Sequence, residues 1–199
     1  MMDPLRVLRG KWKEIALVGL LFSIATLISL YMYMGKPFAK YMIKTSLELN
    51  PIMQAILRLI KRGYYYPAIQ LIFLNNFVLV ALGYLSAPGL IPGLNVIILL
   101  IQAHSLGLYL AGSGVLENTY SLLRIIPVLV LECTSYIIVT AAALDVGLCL
   151  IKPSIVLSDE IDRKKAVLMM LSDLGRAYIV VIPLLYLASV VEVLMMIYT

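Results

Sequence analysis

The sequence predicts an all-α protein, a polytopic membrane helical bundle of about five transmembrane helices and two amphipathic interfacial helices, in one domain over residues 1–199. Three observations carry this expectation. The chain is 62% hydrophobic and 14% charged with a mean hydropathy of +1.00, which lies outside the range of a soluble domain. Five apolar runs are close to the roughly 20 residues that a helix rising 1.5 Å per residue needs to cross a bilayer. Between those runs lie the Gly, Pro and charged residues that end helices.

The first run, residues 15–34, follows a basic amino end. It is too long for the core of a signal peptide and no small-residue cleavage site follows it, so it reads as a spanning helix. After the connecting stretch from Gly35 to Asn50 comes an amphipathic segment at 51–62. Here Asn50 is placed to cap, Pro51 to take the first helical position, and Ile52, Met53, Ile56, Leu57 and Ile60 to form an apolar face. Such a segment suits the membrane interface or a helix packed on the protein.

Helix two, residues 66–86, is entered through Gly63-Tyr-Tyr-Tyr-Pro67, whose tyrosines suit the headgroup level, and it carries Asn75 and Asn76. The uncharged turn from Ser86 to Gly93 leads into helix three, residues 92–111, which carries Asn95, Gln102 and His104. Helix four, residues 127–150, carries Glu132 and Asp145, with Pro127 expected to divide a short re-entrant piece from the main span. Ser158 is read as the cap of a second amphipathic helix at 158–175, with Asp159, Glu160 and Asp162 in its first turn, where the helix dipole favours negative charge. Helix five, residues 177–198, carries Pro183 and Glu192.

The chain is organised around helix four. A carboxylate at the middle of a membrane helix costs roughly 2.5 to 3.5 kcal/mol on insertion scales, so acidic residues there face a protein interior, a partner or a water-filled cavity. Glu132 and Asp145 are 13 residues apart, about 20 Å along the axis, and cannot form one acid pair. Threading the helices up and down gives each polar residue a depth from the side reached after helix one. Asn75 lies about 14 Å deep, His104 about 11 Å, Glu132 about 9 Å and Glu192 about 10 Å at 1.5 Å per residue. Asn75, Asn76, Gln102, His104, Glu132 and Glu192 are thus the candidate intramembrane polar cluster, and Asp145 is a second polar position nearer the other face.

Such a cluster can hold the bundle together, carry a proton or ion, or dock another membrane subunit. No HExxH, CxxC, Gly-rich phosphate loop or Gly-x-Ser-x-Gly turn occurs, so no catalytic residues, cofactor or metal site are expected. Cys133 and Cys149 are 16 residues apart in one helix, roughly 24 Å and beyond disulfide reach. The net charge of +5 sits beside the apolar runs, which points to the bilayer surface and away from nucleic acid. Nine Lys and Arg fall on the amino-end side and seven on the other, a margin that favours a cytoplasmic amino end in a cell membrane.

Several stretches together resemble the stage II sporulation protein M family of integral membrane proteins: Phe73-Leu-Asn-Asn-Phe-Val-Leu-Val-Ala-Leu82, the spacing from Pro127 to Glu132, the helix end at Gly147 and Pro153, and Ile182-Pro-Leu-Leu-Tyr-Leu-Ala-Ser-Val-Val-Glu192. The likeness covers about residues 65–195, and the Asn pair and the two helix glutamates are its most specific points. The chain departs from it where Gln102-Ala103 replaces an Asn-Gly pair before Gly107, and where Thr140-Ala-Ala-Ala143 replaces glycine-rich spacing. The resemblance implies a non-catalytic scaffold. In spore formers such proteins gather wall-degrading enzymes at the engulfing membrane, while relatives in archaea and non-sporulating bacteria carry no implied activity. The partners expected are the lipid bilayer, further copies of the chain and other membrane or peripheral subunits. The alternative expectation is a transporter's membrane subunit, proton-coupled or ATP-driven, using Glu132 and Glu192.

Overall fold

The computed structural model describes residues 8–157 and 161–198. Among these the chain is helical and without strands, an all-α bundle. The helices are α1 (Trp12–Tyr33), α2 (Pro37–Leu49), α3 (Pro51–Lys61), α4 (Tyr65–Leu90), α5 (Leu94–Gly112), α6 (Thr119–Ile151) and α7 (Arg163–Ile197). Five of them, α1, α4, α5, α6 and α7, are long and apolar enough to cross a membrane.

Helix α6 is the centre. Val139, Thr140, Ala141, Ala142, Ala143, Val146 and Gly147 are all buried along it, and α7 runs beside it for much of its length. Small side chains let backbones approach, which is how helices gain dispersion energy in lipid. Gly147 abuts the carbonyl of Gly89 in the turn closing α4, a contact that leaves no room for a Cβ. Across the bundle Gly107 of α5 faces α1 so closely that a Cβ there would lie 2.5 Å from the Thr26 carbonyl oxygen and 2.6 Å from the Ser29 Cβ. The glycine-poor stretch from Thr140 to Ala143 therefore packs with alanine, and the close approaches fall to Gly89, Gly107, Gly112 and Gly147. Around them Phe22, Leu85, Leu99, Val181 and Leu185 complete one apolar core.

The structure departs from the sequence expectations in four places. Residues 163–197 form one helix of 35 residues, where an amphipathic helix to 175 and a separate span from 177 were expected. Ala166, Met170 and Leu174 pack on Val146 and Cys149 of α6, so this segment is held against the bundle. Asp162 caps α7, accepting from the Lys164 amide at 3.1 Å. The expected cap at Ser158 and the acidic Asp159 and Glu160 lie outside the described residues.

Pro127 sits inside α6 and does not split off a re-entrant piece. A mid-helix proline costs about 3 kcal/mol, but the turns before it are held at both ends. The Asn118 side chain caps at Tyr120, and the Arg124 guanidinium donates to the Tyr198 carbonyl at 3.1 Å and lies 4.1 Å from the Tyr120 ring centre. The stretch 37–49, expected as connection, is helix α2, with Pro37 at its first turn and Ala39 buried against Gly112.

The fourth departure lies in α4. Its residues Asn75–Ser86 adopt π-helical register between an α-helical start and a 3-10 end. Such widened turns are uncommon and gather at functional positions. The Tyr178 hydroxyl of α7 donates to the Ala81 carbonyl at 3.0 Å. With that proton committed, the Ser86 hydroxyl donates to Tyr178 oxygen at 2.5 Å.

Helix α3 forms where it was expected and packs on the bundle. The Asn50 side chain accepts from the Ile52 and Met53 amides at 3.0 and 3.1 Å, and Pro51 takes the first position. Its face packs on protein, with Ile56 against Ala68, Ile72 and Val193.

Candidate functional site

The widened turn of α4 decides where the two asparagines go. Asn75 Nδ2 donates to Asn76 Oδ1 at 3.1 Å, and Asn76 Nδ2 donates to Glu132 Oε1 on α6 at 2.5 Å. Each amide orders the next, so the chain of bonds ends on a carboxyl oxygen. Glu192 of α7 faces the same space, within electrostatic reach of Glu132. Asn75, Asn76, Glu132 and Glu192 together line a cavity of about 550 Å³. Tyr109 of α5 lines it too and feels Glu192.

The remaining walls are apolar. Helix α3 closes the cavity from the side reached after α1, contributing Ile52, Met53, Ile56 and Leu57. Leu106 and Leu129 come from α5 and α6, and Met195 and Met196 from the end of α7. Methionine fills irregular gaps because its three rotatable bonds and polarizable sulfur adapt. Among the lining residues there is no Lys, Arg, His, Ser or Cys. The arrangement can accept hydrogen bonds and positive charge. No group of three His, Cys, Asp or Glu able to hold a metal occurs among the described residues.

No family model, curated protein or solved structure matches this chain.

Two residues placed in the polar layer by depth stand elsewhere. His104 does not line the cavity. It is exposed on α5, its ring set edge-on to Tyr33 with centroids 5.5 Å apart. Depth along an axis says nothing about direction round it, and at 100° per residue His104 points away from Leu106, which does reach the cavity. Gln102 is on the face of Leu106 and Tyr109 but about one turn beyond Leu106 and two beyond Tyr109, further from the cavity end, and it too stays outside. Tyr109 is the α5 residue that sequence reasoning missed. Threading puts it only about 3 Å deep at 1.5 Å per residue, shallower than the glutamates, so depth gave no signal for it.

Asp145 lies apart, as expected, and is buried. It forms an ion pair with Lys11, whose Nζ also approaches Met170 Sδ at 3.7 Å. Glu14 and Asp173 lie within electrostatic reach of this pair, and Arg176 bonds Asp173 at 2.8 Å. Both ends of the bundle therefore carry a charged cluster, one acidic and amide-lined, the other an ion-pair group. The Lys11 partner was open to sequence reasoning, since the basic amino end and Asp145 fall on the same side of the threaded helices. A third polar contact is structural: fully buried Asn95 of α5 donates from Nδ2 to the Thr140 carbonyl of α6 at 2.8 Å.

Proposed function

We propose that the chain is a non-catalytic integral membrane protein that assembles or anchors partner proteins, of the stage II sporulation protein M type. It works as a homo-oligomer in the cell membrane with its amino end in the cytoplasm. One observation supports this above the others. The residues most specific to the family resemblance, the Asn75–Asn76 pair, Glu132 and Glu192, come from three separate helices and line one cavity. Residues that share a place in the fold are under a common physical demand, and here most of the wall around them is apolar.

Purification of the native complex in mild detergent tests the proposal, with mass measured by light scattering and associated chains identified by mass spectrometry. Copies of the chain, or a defined partner, are expected to travel with it. A lone monomer with nothing attached overturns the reading.

A second reading is favoured by the cavity's two carboxyl groups: a transporter's membrane subunit in which Glu132 and Glu192 meet the transported species. Under that reading Glu132→Gln and Glu192→Gln abolish flux in reconstituted vesicles. Equal flux in wild type and variants removes it.

A further inference from the structure

The cavity beneath α3 holds two carboxyl groups and nothing of opposite sign. Glu132 uses Oε1 on Asn76, which leaves Oε2 without a bond, and the Glu192 carboxyl has no hydrogen-bond or ion-pair partner among the described residues. None of the eighteen lining residues is Lys, Arg or His. The nearby bases Arg58, Lys61 and Arg62 lie exposed on α3 and its end, outside the lining. A carboxylate in apolar surroundings is stabilised by a partner of opposite charge, and none of the described residues lining the cavity supplies one. The rest of the wall is hydrocarbon and thioether: Ile52, Met53, Ile56, Leu106, Leu129 and Met195.

We propose that this cavity is a binding site for an amphiphilic amine, with its ammonium group between Glu132 and Glu192 and its apolar body under α3. An ammonium carries three donors. Glu132, Glu192 and Asn75, which line the same cavity, offer it three acceptors: the free oxygen of Glu132, the Glu192 carboxylate and the side-chain carbonyl oxygen of Asn75. The volume of about 550 Å³ falls within the range of small-molecule sites, roughly 300 to 1,000 Å³. Helix α3 is the wall too short to span a bilayer, at 11 residues, so the ligand reaches the cavity past α3 from the interface. An anionic phosphate head is repelled by the same carboxylates, which separates this ligand from acidic phospholipid. The inference goes beyond the assembly reading and does not depend on it.

The test uses the purified full chain in lipid nanodiscs with three photoreactive probes of equal chain length, each with a diazirine on the chain: dodecylammonium, dodecanol and dodecanoate. The ammonium probe is expected to label peptides containing Met53 or Met195 about tenfold more strongly than the alcohol, the margin of a charge-assisted hydrogen bond, and the carboxylate probe least. In the Glu132→Gln, Glu192→Gln double variant the ammonium labelling falls to the level of the alcohol. If that variant does not remain monodisperse, Ile56→Trp fills the cavity with both carboxyls intact and is expected to give the same loss. Equal labelling by all three probes overturns the proposal, as does ammonium labelling that is indifferent to the carboxylates or confined to lipid-facing peptides of α1. So does a chain that takes up no ammonium probe yet cross-links through Glu132 or Glu192 to a lysine of a co-purifying membrane protein. That last outcome leaves the assembly reading standing, and recovery of a lone monomer that binds the amine does the reverse.

Discussion

The Asn76 side-chain amide donates to Glu132 at 2.5 Å, between residues 56 apart in the chain and on different membrane helices. It is the bond that fixes the register of α4 against α6 at the cavity, and it is drawn out of a π-helical segment whose wider turn presents Asn75 and Asn76 together. Asn76→Ala removes the donor and leaves a carboxyl oxygen facing hydrocarbon. The expected cost is about 1 to 2 kcal/mol, above the roughly 0.6 kcal/mol average for polar contacts in membranes, because the acceptor is a carboxyl group. Reversible unfolding in mixed micelles measures it. Adding Glu132→Leu to Asn76→Ala should cost less than the two single changes summed.

At the opposite end the Lys11 and Asp145 side chains retain 11% and 7% exposure, a buried pair linking the start of α1 to α6. Removing one member of such a pair leaves the other uncompensated, at about 3 to 5 kcal/mol. Lys11→Met is therefore expected to lower stability by about 3 kcal/mol, and the double variant Lys11→Met, Asp145→Leu to recover most of it. A double-mutant cycle from unfolding curves reads the coupling.

Two glycines in helices should respond with opposite sign. Gly107→Val must push α1 away from the Thr26 carbonyl and is expected to destabilise by about 1 to 3 kcal/mol. Gly175 has nothing within 4 Å of an added Cβ, so Gly175→Ala is expected to stabilise by about 0.5 to 1 kcal/mol through helix propensity alone. Thermal unfolding of the two variants side by side gives both signs.

Tyr178 holds the widened turn through its bonds to Ala81 and Ser86. Tyr178→Phe keeps the ring and deletes both, at about 1 kcal/mol. Hydrogen exchange followed by mass spectrometry should show faster exchange confined to the peptide covering Ala81–Ser86, with α6 unchanged.

The five spanning helices and the central place of helix four were legible because hydropathy and helix rise are properties of the sequence alone. Glu132, Glu192, Asn75 and Asn76 were also legible as neighbours, since depth survives an error of a turn at a helix end. His104 and Gln102 were not separable from them. Which way a residue faces depends on how α5 meets α1, and that is set by the close approach at Gly107. Gly175 read as the end of an amphipathic helix, yet packing of Ala166, Met170 and Leu174 on α6 keeps the helix whole. The π register left no mark in composition. It depends on a hydroxyl brought from α7, 97 residues beyond Ala81.

That unbroken α7 has a mechanical corollary. Met170, touching Lys11, and Glu192, facing the cavity, ride on the same rod, about 33 Å apart at 1.5 Å per residue. A tilt of the rod about its middle, where Pro183 removes one backbone donor, draws one end away from its neighbours as it swings the other towards the opposite wall. One continuous element thus joins the ion-pair end of the bundle to the wall of the cavity beneath α3.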